Sequence, residues 1–177
     1  MQSGKPRREN YAYEKLGSCA VLAAIEPLTG RRLAHVRAQR RKIEFAYLMR
    51  DLAEAYPDAK LIHIILDNLN THDKSAFYEV FDAQTAHSLA QRFEFHFTPK
   101  SASWLNMVEL EFSALSRLCL NRRIPTIEQL EAAVMAFIKD RDDKQIKINW
   151  QFSISSARKT FSSHYERINP LNKTKKT

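Results

Sequence analysis

The chain has 177 residues, enough for a domain with its own hydrophobic core, and 44% of them are hydrophobic while only three are glycine. This composition excludes intrinsic disorder as the default state. No run of 18 apolar residues is present, and the first 20 residues lack the apolar core of a signal peptide. We therefore expect a cytoplasmic protein with no membrane partner.

The net charge of +8 is distributed unevenly along the chain. Residues 1–50 carry 11 Lys and Arg against 4 Glu, residues 51–143 carry 9 against 15 acids, and residues 144–177 carry 8 against 1 acid. Basic ends suit a polyanion such as DNA, and clustered acids suit a divalent cation, although basic residues also simply solvate helix faces. The basic residues predicted to contact DNA are Arg31, Arg32, Arg40, Arg41, Lys42, Lys100, Arg122 and Arg123.

The first half of the chain predicts a hairpin, a helix and a strand. The apolar run 18–26 and the alternating run 31–39 predict two strands joined by a turn. Apolar residues spaced by three and four over 41–56 predict a helix that ends before Pro57. The continuous apolar run 60–67 predicts a strand covered on both faces.

The second half continues the alternation of helices and strands. Asp73 is predicted to cap a helix, and a second helical stretch runs to about Arg92. Alternation over 93–98 predicts another strand, and two long helices are predicted from about 103 to 120 and from about 126 to 140. The pattern predicts an α/β fold with a mixed sheet flanked by helices.

Polar residues follow the strand 60–67, where the sequence reads LDNLNTH. Side chains that follow a buried strand converge at the sheet edge, so Asp67 is a candidate functional residue there. The alternative is a turn or helix cap, a role that Asn68, Asn70 and Asp73 also fit.

Two more carboxylates, Glu109 and Glu111, lie on the helix that follows the strand 93–98. Acids from separate elements hold paired Mg²⁺ ions in phosphodiester chemistry. The alternative is that both glutamates are ordinary residues of a helix surface.

Three segments together resemble the catalytic domain of bacterial insertion-sequence transposases, the DDE-type endonucleases related to the Tc/mariner elements. They are LDNLNTH (66–72), EFHFTPKSASWLNMVELEFSALSRLCLNRRI (94–124) and NWQFSISSAR (149–158), and the similarity extends from about Tyr11 to about Tyr165. The resemblance implies an RNase H-like fold, dependence on Mg²⁺ or Mn²⁺, a location at the bacterial nucleoid, and cutting and joining of transposon-end DNA.

The resemblance also assigns roles to individual residues. The second and third acids of the family, which are catalytic and bind metal, fall on Asp67 and Glu109. The residues of the motifs that surround them are Asn68, Asn70, His72, Trp104, Asn106 and Glu111. We interpret His72 as a cap or as a group that supports a ligand, rather than as a ligand itself.

A helical wheel leaves the choice between the two glutamates open. Glu109 falls on the rim of the apolar face, while Glu111 lies between Trp104, Met107 and Leu115. A catalytic carboxylate has to reach both the sheet edge and a metal ion from solvent, so we choose Glu109. Glu111 is the alternative, or it is a packing residue whose carboxylate pairs with an arginine.

One departure from the family concerns its first acid. The family places an aspartate on the first, central strand, but residues 1–50 contain no Asp. We expect an RNase H-like domain at 18–143 that lacks this strand, preceded by a basic lead at 1–17. The basic tail at 144–177 is expected to dock to about residue 165 and to be disordered beyond it.

These expectations leave three functional hypotheses. The first is a DDE transposase domain that is inactive alone and is completed by a full-length transposase or a separate upstream polypeptide. The second is a regulatory fragment that binds DNA or transposase without catalysis. The third is a decayed remnant with no selected role.

Overall fold

The computed structural model describes residues 17–99 and 105–162. Within these ranges the chain forms four strands and six helices, a mixed α/β arrangement consistent with the RNase H-like fold that the resemblance implies. None of the described helices is long and apolar enough to cross a membrane. In chain order the elements are β1 (Ala20–Ile25), β2 (Arg32–Arg37), α1 (Lys42–Ala55), β3 (Ile62–Leu66), α2 (Ser75–Val80), α3 (Ala83–Arg92), β4 (Phe93–Phe97), α4 (Val108–Leu118), α5 (Ile127–Asp143) and α6 (Ile154–Thr160).

The predicted hairpin is confirmed, and a glycine closes its turn. β1 and β2 pair antiparallel, with Val21 opposite Val36. Gly30 adopts φ +83°, and its N–H donates to the carbonyl of Glu26 at 2.8 Å. A Cβ at Gly30 would lie 2.6 Å from the carbonyl oxygen of Ile146. The turn therefore needs a residue without a side chain.

The second sheet is a parallel pair whose strands are joined through α2 and α3. β3 and β4 align from Ile62 opposite Phe93 to Leu66 opposite Phe97, and Thr98 N–H extends the ladder by donating to the Leu66 carbonyl at 2.9 Å. In the described part of the chain, the single mixed sheet that the sequence predicted is thus present as two separate pairs, β1–β2 and β3–β4.

Three helices cover one face of the β3–β4 pair. The buried residues of this core come from α1, α2, α3 and the start of β4, and they are Phe45, Ala46, Met49, Leu52, Ala53, Ala76, Phe77, Ala86, Leu89 and Phe93. Stacked and edge-on contacts among its phenylalanines add to the packing. Packing against this core holds β3 in place and so sets the position of the residues that follow its carboxyl end.

The prediction that β3 is covered on both faces is wrong for the described residues. The strand alternates, with Ile62 and Ile64 turned toward the helices and His63 and Ile65 exposed. Ile65 keeps 57% of its surface accessible. An apolar run indicates that a strand is hydrophobic, but it does not indicate whether another element packs against each of its two faces.

A second core lies on the β1–β2 hairpin. Ala34 and Val36 of β2 pack against α4 and α5, where Leu115, Leu130 and Val134 are buried. The other face of the hairpin contacts α1. The hairpin is therefore enclosed by helices on both faces, as the flanked-sheet prediction required.

The later helices differ from prediction in their bounds. Residues 103 and 104 lie outside the described ranges, and α4 begins only at Val108, after a turn at 105–107. A separate compact unit begins at Ile148. It contains α6, which the sequence analysis did not predict, and Ser153 caps that helix by accepting from Ser156 N–H at 3.1 Å.

Candidate active site

A cavity of about 470 Å³ lies between β1 and β3 and contains both predicted acids. Residues 21–25 of β1 form one wall and residues 63–66 of β3 form another. Asp67, directly after β3, and Glu109, in the first turn of α4, line this cavity. The structure thus brings together carboxylates that are 42 positions apart in the sequence.

Asp67 is held by a neighbouring imidazole. Nδ1 of His72 lies 2.7 Å from Oδ1 of Asp67, and the two side chains are 20% and 40% exposed. The ring of His72 rests against that of Phe45, with 4.8 Å between ring centroids. His72 therefore rests on the α1 core beside the Asp67 carboxylate, which keeps 40% of its side-chain surface exposed.

The loop after β3 is tied to the end of β4. The side-chain amide of Asn68 donates to the carbonyl of Thr98, and the N–H of His72 donates to the carbonyl of Leu69 at 2.9 Å. Asn70 is exposed. These bonds position the strand ends side by side, which is the setting in which Asp67 was predicted to act.

Asp73 was predicted to cap the next helix, but the N-cap of α2 is Lys74, and Asp73 lies one residue before it and bonds to the first residue of the helix. Its Oδ1 accepts from Ser75 N–H at 2.6 Å. This bond and a further bond with the Ser75 side chain lower the pKa of Asp73 below its ordinary value. Asp73 therefore stabilises the start of the helical segment, whereas Asp67 of the same loop belongs to the candidate site.

The start of α4 places Glu109 at the cavity. Asn106 Oδ1 accepts from Val108 N–H at 3.3 Å, and the Asn106 carbonyl accepts from Glu109 N–H at 3.1 Å. Asn106 also lines the cavity, so the residue that bonds to the first turn of α4 lies on the same cavity wall as Glu109. Glu109 is exposed.

Glu111 occupies a different environment. It is 6% exposed, and its Oε1 lies 2.9 Å from Nε of Arg32 and 2.6 Å from Nε of Arg141. Arg32 also contacts Asp142 at 3.0 Å and donates to the carbonyl of Ile146 at 2.7 Å. We call this set of five residues the Glu111 network. It matches the alternative of a packing residue paired with arginine.

Arg32 requires a correction to the predicted DNA-binding set. Its side chain is 2% exposed and is fully engaged in the Glu111 network, so it does not face a phosphate backbone. Strand alternation is the reason, because Arg32 shares the inward face of β2 with Ala34 and Val36.

The remaining basic candidates fall into three groups. Arg40 lines the cavity, and Arg122 and Arg123 are exposed beyond α4. Three others are exposed or half-buried but already have partners on the surface; they are Arg31 over the Tyr56 ring, Arg41 with Glu44, and Lys42 with Glu79. Lys100, like the motif residue Trp104, lies outside the described residues.

The donor set at the cavity fits a divalent ion only in part. Asp67 and Glu109 are the acids that line it, and within residues 17–99 and 105–162 no third His, Cys, Asp or Glu donor completes a cluster with them. Hard cations such as Mg²⁺ take several oxygen ligands, more than two carboxylates supply. The nearest acid of the hairpin, Glu26, is used elsewhere, since it accepts from the Tyr56 hydroxyl at 2.9 Å. Burial and this bond raise the pKa of Tyr56 to about 12.

A second cavity, of about 400 Å³, lies between the same two strands toward their other ends. It is lined by Ala24 and Ile25 of β1 and by residues 62–64 of β3, together with side chains of α1 such as Leu52. The sequence analysis interpreted the apolar run of β1 only as a strand of a hairpin and did not predict that its residues line a cavity. We refer to the two cavities together as the β1–β3 slot.

Comparison with known proteins gives a family but no individual relative. A family model described as DDE superfamily endonuclease matches residues 1–131, well over half of the chain. No curated protein and no solved structure matches. The family acts on DNA, and its members generally use divalent metal ions. The chain belongs to the DDE superfamily of endonucleases.

Proposed function

We propose that this chain is the catalytic part of a bacterial insertion-sequence transposase of the Tc/mariner-related group, which cuts and joins transposon-end DNA. The observation that carries the proposal is that Asp67 and Glu109, from separate elements, line one cavity. Asp67 and Glu109 act as metal ligands in this proposal, and Glu111 serves the fold. Divalent ions, Mg²⁺ or Mn²⁺, bound by these acids would activate the attacking oxygen and stabilise the leaving oxygen.

The neighbouring side chains support the two acids. In this proposal His72, whose Nδ1 lies 2.7 Å from Oδ1 of Asp67, supports that carboxylate at the cavity. Asn68 holds the β3 and β4 ends together, and Asn106 sets the first turn of α4 from which Glu109 projects. A phosphodiester approaching this edge would meet Arg40 on the cavity wall, and the exposed Arg122 and Arg123 after α4 are further candidate phosphate contacts.

The β1–β3 slot supports a further element of the proposal, a strand that completes the sheet. Among the described residues β1 pairs with β2 and β3 pairs with β4, so each of β1 and β3 has an open edge, and both strands line the slot. Adjacent strands lie about 4.8 Å apart, and unpaired buried backbone groups are costly. An apolar strand in the slot would pair with both edges.

The same strand would supply the missing acid. Residues 17–50 contain no Asp, so the occupant is an apolar segment ending in aspartate, carried by an N-terminal extension or by a partner such as a full-length transposase. Its end would lie beside Asp67 and give the metal site a third carboxylate. Without that strand the chain is inactive in this proposal.

A nicking assay tests the proposed function. A supercoiled plasmid carrying the insertion-sequence ends is incubated with Mg²⁺ and the chain, alone and together with a polypeptide that carries the apolar strand and its aspartate. We expect nicking only in the second mixture, and its loss in Asp67→Asn and Glu109→Gln. Asp58→Asn, which changes an exposed acid outside the cavity, is the matched control and should keep nicking. Nicking that survives both cavity substitutions would remove these acids from the site.

A second candidate function is a DNA-binding or transposase-binding regulator without catalysis. The observation that favours it is the incomplete donor set, with only two acids along the described cavity walls. Under this hypothesis neither mixture nicks DNA, while the chain still lowers the nicking rate of an active transposase in the same assay. Activity in the complemented mixture contradicts it.

A further inference from the structure

Three metal-ligating side chains lie together on the exposed face of the β3–β4 pair, and neither Asp67 nor Glu109 is among them, although one of the three, His63, also lines the wall of the proposed catalytic cavity. His63 stands directly opposite Glu94 in the parallel register, and His96 lies two residues farther along β4. All three are exposed, on the face opposite Ile62, Ile64, Phe93 and Phe95. Strand alternation brings the three side chains to one place because each occupies the same face of the pleat.

The separations of their donor atoms match a coordination shell. His63 Nδ1 lies 3.0 Å from His96 Nε2 and 3.6 Å from a Glu94 carboxylate oxygen, and His96 Nε2 lies 3.3 Å from the other Glu94 oxygen. Zinc bonds to nitrogen and oxygen of about 2.0 to 2.1 Å in tetrahedral geometry place neighbouring ligand atoms about 3.3 Å apart. The two imidazole nitrogens and the Glu94 carboxylate, which offers a different oxygen to each of them, are therefore already near the spacing of neighbouring ligands in such a tetrahedron.

The chemistry of the donors selects the class of metal. Two imidazoles and one carboxylate suit Zn²⁺ and the neighbouring divalent ions Co²⁺, Ni²⁺ and Cu²⁺, whereas Mg²⁺ and Ca²⁺ prefer oxygen ligands. Contacts among exposed ionisable side chains contribute little to stability by themselves. A metal ion that all three groups bind would explain why they converge better than their contacts with one another do.

We propose that His63, Glu94 and His96 form a binding site for one divalent transition-metal ion of the zinc class, with a fourth position open to solvent. The ion would bridge β3 and β4, the two strands of this sheet that the structure describes. Binding to the folded chain would stabilise this pair by mass action. The site does not depend on the proposed nuclease function, since Asp67 and Glu109 take no part in it.

Isothermal titration with Zn²⁺ tests the proposal on the whole chain. We expect one saturable site, about tenfold or more weaker in His63→Ala, in His96→Ala and in Glu94→Gln, because each removes a ligand. His87→Ala is the matched control, since His87 is an exposed histidine on α3 that contacts Gln91 instead of this cluster. Asp67→Asn should leave the Zn²⁺ affinity of this site unchanged, and excess Mg²⁺ should not compete for it.

Thermal unfolding provides a second measurement that does not rely on the titration. Zn²⁺ should raise the melting temperature of the wild-type chain and of His87→Ala, but not that of a variant carrying both His63→Ala and His96→Ala. Circular dichroism without metal checks that the exposed substitutions leave the fold intact. A wild-type chain with no saturable Zn²⁺ site, or equal affinity in wild type and His63→Ala, would overturn the proposal.

Discussion

Glu109 and Glu111 lie two residues apart on α4, yet they occupy opposite environments. Glu109 is exposed at the wall of the cavity that also holds Asp67. Glu111 is 6% exposed and contacts both Arg32 and Arg141. Two helix positions differ by about 200° around the axis, so one carboxylate faces the slot and the other faces the hairpin and α5.

The comparison separates a carboxylate available for chemistry from one committed to the fold. A buried ion pair is expensive to break because the remaining charges lose their partner in a poorly solvated site. An exposed carboxylate costs little to change and can accept a metal ion from solvent. We therefore expect substitutions of Glu111 to reduce stability and substitutions of Glu109 to reduce metal binding.

The largest expected effect is on stability at position 111. Glu111→Gln leaves the guanidinium groups of Arg32 and Arg141 without their shared anion, so we expect the free energy of unfolding to fall by about 3 to 5 kcal/mol. Glu109→Gln, the matched change on the same helix, should stay within about 0.5 kcal/mol of wild type. Urea unfolding followed by circular dichroism measures both. An equal fall in the free energy of unfolding of the two variants would contradict the proposed difference between Glu109 and Glu111.

A smaller loss is expected at the turn that leads into the Glu111 network. Gly30→Ala forces a residue with a side chain into φ +83° and places its Cβ 2.6 Å from the Ile146 carbonyl oxygen. We expect a loss of about 1 to 3 kcal/mol in the same unfolding experiment. Leu28→Ala, in the same turn and 82% exposed before substitution, should change little. A neutral Gly30→Ala would show that the turn and Ile146 adjust freely.

DNA binding sharpens the contrast between exposed and buried basic residues. Arg40 lines the cavity and is exposed. We expect Arg40→Ala to weaken duplex binding and to reduce the log-log salt slope by about 0.9, the value for one phosphate contact. Fluorescence anisotropy at several salt concentrations measures the slope. An unchanged slope would exclude Arg40 from the DNA surface.

The smallest expected effect is a pH dependence on the other face of the hairpin. Burial lowers the pKa of His35 below its ordinary value of 6.5, with Arg37 and Arg50 acting in the same direction and Asp51, 2.9 Å away, opposing them. Because the unfolded chain then binds more protons, stability should fall as the pH drops below about 6.5. His35→Gln should show a smaller fall between pH 7 and pH 5, while His87→Gln should behave as wild type.

The elements were predictable from the sequence because their signals are local. The turn ending in Gly30, the apolar spacing of α1 and the polar cluster after β3 each specify a structure within a few residues. The elements that pack against each face of a strand could not be predicted in this way. A run of apolar residues made β3 look buried on both faces, although Ile65 is exposed.

The basic pair Arg31 and Arg32 shows a similar limit. Adjacent residues on a strand point to opposite faces, so Arg31 reaches the Tyr56 ring while Arg32 enters the Glu111 network. The alternating pattern of β2 indicates which of its side chains point inward, but a count of basic residues along the chain takes no account of that pattern. The pairing of Glu111 with arginine was foreseen as an alternative, whereas its partners Arg32 and Arg141 depend on tertiary packing across 79 and 30 positions.

The most direct test of the account is Mn²⁺ binding, measured by water-proton relaxation, in wild type, Asp67→Asn, Glu109→Gln and the control Asp58→Asn. We predict weak binding by the wild-type chain, since two carboxylates form an incomplete set, and further weakening in Asp67→Asn and Glu109→Gln alone. Identical relaxation in wild type and both cavity variants would contradict the claim that Asp67 and Glu109 share a metal site.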